Sequence, residues 1–413
     1  MTAPPPPLCL TGARIICPDS GHDAVANLWI ENRLIAGVGD QPPPSHAETL
    51  DCKGLVLAPG LVDAGVFRAD ARACRKGGIT RVVLMPDQSP PLDDPALVAF
   101  ARGTGKPDVW VHPLVAATRG LAGEELAELG LAREAGAVGV GTGRGAIGSA
   151  VVMQRLLAYA QSFGLTVVAH PEEQTLTEYA VATEGEYATR LGLPTAPAYA
   201  EALAIARDLR LAEATGARLH FRQVTTAEGL ALVRAARARG LDVTAGITPA
   251  HWLLNETAVA GFRSFARLSP PLRVEEDRQA VLAAIADGTI SIISSGHDPQ
   301  SQDAKRQPFA DAAPGMAGAE TLLALALSLV RDGQLSLMQL LAALSVAPAR
   351  RFGIPGGSLA PGQPADLLVF DEQAPWRISP ARFAGHANTP FDGLPVAGEV
   401  RMTIKGGERL WQV

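Results

Sequence analysis

From about residue 55 the chain alternates short apolar runs of strand length with longer stretches in which apolar residues recur every three or four positions. The runs are "LVLAPGLVDAGVF", "GITRVVLMP", "DVWVHPLVAA", "GAVGVGTG", "LTVVAHPEE", "ARLHFRQVTT", "DVTAGITPAHW" and "TISIISSGHDP". Between them lie segments such as "EELAELGLAREAG", "AVVMQRLLAYAQSFG" and "YAEALAIARDLRLAEATG", whose periodicity is helical. Apolar strands alternating with helices in this way predict an α/β fold, a (β/α)8 barrel over residues 55–347. Residues 1–54 and 348–413 instead carry Gly, Pro and Asp turns between short β runs, among them "GSLAPGQPADLLVFD" and "VRMTIKGGERLW". They predict one small β-sandwich built from both termini. Two further helices, "GAETLLALALSLVRDG" and "SLMQLLAALSVAPARRFG", follow the eighth strand.

Composition narrows the class. With 413 residues, 47% hydrophobic and 19% charged, the chain can bury a large core beside a smaller second domain. A net charge of -6 predicts no basic face of the kind that gathers phosphates, and so no nucleic-acid partner. No segment approaches the length of a membrane span and "MTAPPPPLCL" reads as a short extended Pro tail, so the expected location is cytoplasmic. Cys9, Cys17, Cys52 and Cys74 form no CxxC pair and read as reduced core residues.

Specific phrases carry more. "APGLVDAGV", "GGITRVVLMPDQSP", "VVAHPEE", "SPPLR" followed by "EEDR", "SSGHDP", "LAPGQPADLLVFD" and "NTPF" resemble the amidohydrolase superfamily. Within it they are most similar to the long-chain dihydroorotases, over essentially the whole chain. The resemblance implies hydrolysis or closure of a cyclic amide C–N bond by a zinc-bound water, with an aspartate moving the proton. Such chemistry needs imidazole and carboxylate ligands at the C-terminal ends of the strands.

Those ligands are largely gone. Where the family has Asp-x-His-x-His, Asp63 is followed by Gly65 and Phe67. At strand four, Gly141 and Thr142 occupy the place of a bridging carboxylate or carbamate. His170 matches the strand-five ligand, Gln223 replaces the strand-six histidine, and Gly296 replaces the strand-eight aspartate. His220 matches a position that is not a ligand in the family. Arg68, Asp87, His251 and Gln300 are the remnants of the substrate pocket that the resemblance implies, Asp87 standing where the family has an asparagine. With one imidazole left, no metal and no cofactor is expected, and Phe67 is expected to turn into the mouth against Leu84 or the eighth strand.

Three readings stay open. Catalytically dead homologues in this family are structural partners of aspartate carbamoyltransferase, and the resemblance implies that role here; a homo-oligomer is also open. The second reading is an active cyclic-amide hydrolase of dihydroorotase, hydantoinase or allantoinase type, with a zinc moved to His170, His297 and Asp298, near Glu173. The third is a barrel that binds a small molecule or phosphate on "GTGRGAIG", Gly141 to Gly148, a Gly-x-Gly-x-x-Gly loop after a strand with Glu172 downstream. Ser269, Ser294 and Ser295 lack the turn that exposes a nucleophilic serine.

Overall fold

A computed structural model describes residues 7–40 and 47–413; most of the Pro-rich start lies outside them. Eight parallel strands follow in chain order around a barrel: Leu61–Val66, Ile79–Leu84, Trp110–Ala116, Gly139–Gly141, Thr166–Ala169, Leu219–Phe221, Val243–Ile247 and Ile290–Ile293. Helices cover the outside, including Ala150–Ser162, Tyr199–Thr215 and Ala227–Ala238. Thr226 caps the last of these by accepting a hydrogen bond from the Gly229 amide, which fixes where the sixth crossover turns. The fold is the (β/α)8 barrel with a β-sandwich domain that the pattern predicts.

The eighth strand meets the first through a side chain. Buried Asp63 accepts from the Ser295 amide at 2.8 Å and from the Ser295 hydroxyl at 2.5 Å, and the Phe67 amide donates to the His297 carbonyl at 3.0 Å. Burial pushes the Asp63 carboxyl up to about 6 despite both hydrogen bonds.

Both termini build the second sheet, which surrounds its own apolar core of residues such as Leu10, Ile15, Leu28, Leu57, Leu367 and Ile404. Two boundaries differ from the sequence reading. "LVLAPGLVDAGVF" is two strands, since Val56–Pro59 pairs with Leu8–Cys17 and Leu367–Arg377 in the terminal sheet. The chain passes to the barrel at Gly60, where a Cβ would stand 2.4 Å from the Thr80 side chain, so only glycine fits. At the other end, Ala347–Phe352 belongs to the barrel, because Phe352 and Ile354 pack into its interior with Val62, Val83 and Leu114. All four cysteines are buried and unpaired.

Candidate functional site

Strand one ends in a kink that decides the site. The pairing of strands one and two shifts register between Ala64 and Val66, and Gly65 sits in the left-handed region at φ +85°. This bulge is where the family resemblance implies a first histidine. A Cβ on Gly65 would also approach Arg222 Cγ at 3.3 Å.

Phe67 follows and closes the mouth. It is 7% exposed, belongs to the interior apolar column with Ala64, Met85 and Ile292, and does not share a cluster with Leu84. Its carbonyl accepts from Gln88 Nε2 at 3.0 Å while its amide binds the eighth-strand end, so the ring is pinned from both neighbours. Two guanidinium groups flank it, Arg144 at 4.0 Å and Arg222 at 5.1 Å from the ring centre. The cavity remaining among Phe67, Arg144, Arg222, Thr248 and Met316 measures 60 Å³, room for a few waters and far below the roughly 300 Å³ of a small-ligand site.

Arg222 organises the floor. Fully buried, and drawn down to about 10 by that burial, it donates to His170 Nδ1 at 3.2 Å and to Gln223 Oε1 at 3.0 Å. Since arginine only donates, His170 Nδ1 must accept, and its Nε2–H then donates to Glu172 at 3.0 Å. Burial works against the Glu172 carboxylate, but His170 and Arg273 hold it below its ordinary value. The same logic orients a second chain: Gln223 Nε2 donates to Thr248 Oγ1 at 3.1 Å, Thr248 to His251 Nδ1 at 3.0 Å, and His251 Nε2–H to the Pro270 carbonyl at 3.2 Å. Burial pulls His251 down to about 4, consistent with that neutral tautomer.

Arg144 seals the other side. The Gly141–Gly148 loop carries it across the mouth, where it makes a two-pronged ion pair with Asp298, Nη2 to Oδ1 at 2.8 Å. Gln300 Nε2 also donates to Asp298 at 2.9 Å. The Arg144 amide donates to Asp87 at 2.8 Å, and burial raises the Asp87 carboxyl. The amide a phosphate would need is therefore taken by a carboxylate of the chain itself. Gly143, at φ +85° with a would-be Cβ 2.8 Å from Asp87, permits that approach.

Of the residues singled out from sequence, Phe67, Gln223, His251, Gly296 and Asp298 line the cavity, and His170, Asp87, Gln300 and Gly65 lie against its lining through Arg222, Arg144 and Asp298. Arg68 does not; it bonds His386 at 2.9 Å, outside the mouth. His297 does not either. Its side chain accepts from the Ala319 amide at 3.3 Å, because alternation at the strand end turns Gly296 and Asp298 inward and His297 out. Ser295 is spent on Asp63. His220 lies in the barrel wall, its Nδ1 2.9 Å from Thr244 Oγ1. Among the described residues no three His, Cys, Asp or Glu side chains stand together as a metal cluster, and both nitrogens of His170 are engaged. This donor set does not fit a zinc ion, and the relocated trio His170, His297 and Asp298 is not assembled. Sequence reasoning missed Arg144 and Arg222; the signals were an arginine in a mouth-facing glycine loop and another inside the apolar run "LHFRQV".

Residues 65–410 match the amidohydrolase family. A dihydroorotase-like protein of Pseudomonas aeruginosa is 40% identical, covering 97% of this chain and 98% of its own length. A dihydroorotase of Syntrophotalea carbinolica is 38% identical over 97% of this chain and 98% of its own length. Among solved structures, the L-hydantoinase of Arthrobacter aurescens superposes with a TM-score of 0.87 at 23% identity, covering 98% of this chain and 96% of that one, and so shares the fold. The barrel with its sandwich, the phrases at its strand ends and these relatives agree that the chain belongs to the amidohydrolase family, on the dihydroorotase-like branch.

Proposed function

We propose that this chain keeps the dihydroorotase frame without the hydrolysis and works in pyrimidine synthesis as a structural partner of aspartate carbamoyltransferase. One observation carries the non-catalytic half: a buried guanidinium donates to the one family ligand that remains, His170 Nδ1, so a fixed cation of the chain occupies the side a metal would approach. Phe67 and the Arg144–Asp298 pair fill the space a substrate ring would need. The partner half rests on the resemblance to dead dihydroorotase homologues.

Protein purified without chelator should carry well under one zinc per chain by plasma emission and should not interconvert carbamoyl aspartate and dihydroorotate. Stoichiometric zinc with turnover that a chelator abolishes would return the chain to the cyclic-amide hydrolases. Coexpressed with the transferase, the chain should co-elute with it above the mass of either alone, through an interface of about 1,000 Å² or more. A transferase that assembles and works fully without it removes the partner role and leaves the loss of catalysis standing.

A further inference from the structure

The opposite end of the barrel holds a second feature. Two adjoining cavities of 650 and 430 Å³ open among the N-terminal ends of strands two to six, sharing Arg102, His112 and Pro355 in their walls. Arg81 and Lys106 complete the charged wall of the first, Arg133 and Arg218 that of the second, and among the described residues no Asp or Glu lines either. The net charge of -6 predicted no basic face; it averaged over the chain a groove whose wall is cationic.

Most surface cations are paired, but the exposed side chains of Arg102, Lys106 and Arg133 have no hydrogen-bond or ion-pair partner among the described residues. Arg102 and Arg133 stand in the last turns of helices Pro95–Gly103 and Leu129–Glu134, where the helix dipole favours a cation. That preference does not explain two further groups. Arg81 is buried and paired with Asp366, yet its Nε has no partner. His112 Nε2 accepts from Arg81 at 3.3 Å, so the proton of the neutral ring is on Nδ1, a donor left free in the wall of both cavities. Burial, with Arg81 and Arg102 beside it, pulls His112 down to about 4 and keeps it neutral.

We propose that this groove binds a linked polyphosphate, the chemical class of pyrophosphate, tripolyphosphate and the phosphate chain of nucleoside di- and triphosphates. Guanidinium forks match phosphate oxygens two at a time and Lys106 adds a point charge. One orthophosphate would meet only part of a wall that runs through two cavities; a chain of phosphates meets Lys106 at one end and Arg133 at the other. The groove lies on the opposite barrel face from the Phe67 mouth, so its fate is independent of the reading above.

Isothermal titration of the full chain with sodium tripolyphosphate at low ionic strength tests it. Saturable binding of one per chain is expected, weaker by about tenfold or more in Arg102→Ala/Arg133→Ala and in Lys106→Ala, and unchanged in the charge-matched control Arg72→Ala/Arg155→Ala. Orthophosphate should bind about tenfold more weakly than tripolyphosphate. A nucleoside triphosphate binding more tightly than tripolyphosphate identifies a nucleotide; equal affinity identifies the phosphate chain alone. No saturable heat at about 1 mM, equal losses in the control pair, or binding of hexaglutamate in place of tripolyphosphate would each overturn the proposal. The substituted side chains are exposed, and circular dichroism confirms that each variant folds.

Discussion

Truncating Phe67 to alanine tests whether the mouth is built as a plug. The ring is 7% exposed and packs on Met85 and Ile292, so losing it removes a near-complete aromatic burial, a change that costs about 3–5 kcal/mol in protein cores. Arg222, buried and 5.1 Å from the ring, would lose a face worth up to about 2 kcal/mol, and Arg144, at 4.0 Å but half-exposed, one worth about 0.5–1 kcal/mol. Against this, the 60 Å³ cavity beside the ring already admits water, and solvent can follow into the space vacated. The two corrections oppose each other, which leaves about 3 kcal/mol. Phe67→Leu keeps most of the burial and loses the π face, and should cost about 1–1.5 kcal/mol. Urea unfolding followed by circular dichroism measures both. A loss below about 0.5 kcal/mol for Phe67→Ala, the range of surface positions, would mean that the ring does not hold the mouth closed.

Other outcomes follow from the same geometry. The Asp63 carboxyl, raised to about 6 from an unfolded value near 3.8, is favoured protonated in the folded state, so its contribution is complete below about pH 4 and is lost as pH rises through 6. Two units amount to about 3 kcal/mol; Asp63→Asn should flatten the fall in stability between pH 4 and 6, and an unchanged pH profile would contradict this. Gly65→His should restore neither zinc nor turnover, and should destabilise by about 1–3 kcal/mol because the residue is held at φ +85°; tight metal uptake by this single variant would refute the account of the bulge. Arg144→Ala should speed amide hydrogen exchange across residues 142–148 by about tenfold while strands five and six stay protected, since the loop loses its tie to Asp298; unchanged exchange would show the loop is held elsewhere.

The barrel was legible because its strands are buried on both faces and read as unbroken apolar runs between helical periods. Its edges were not. Val56–Pro59 and Leu61–Val66 are both buried along their whole length, and periodicity does not mark a chain leaving one sheet for another; the close approach of Gly60 to Thr80 does. Gly65, Phe67, Gln223 and Gly296 were legible as departures from what the family resemblance implies at those positions. The roles of Arg144 and Arg222 were not, because a glycine loop and an apolar run signal an arginine there without saying which side chains it meets. His297 was misplaced for a readable reason: it stands directly between Gly296 and Asp298 in the chain, and strand alternation sends it to the side opposite both.

Charge ties the two arginines of the mouth to its acids. Without a cation beside them, Asp87, Asp298 and Glu172 would face one another around one small, largely buried mouth. An uncompensated buried charge costs several kcal/mol, more than most single substitutions. Arg144 now neutralises Asp298 and binds Asp87 through its amide, and Arg222 stands among Asp87, Asp298 and Glu172 while holding His170. Two guanidinium groups fixed by the chain thus balance the carboxylates of the mouth. A divalent cation entering this mouth would face two like charges before it met a ligand, so returning one histidine or one aspartate meets repulsion as well as an incomplete coordination shell. On the non-catalytic reading proposed above, Gly65→His or Gly296→Asp alone should therefore bring no stoichiometric zinc, which plasma emission on the purified variants checks.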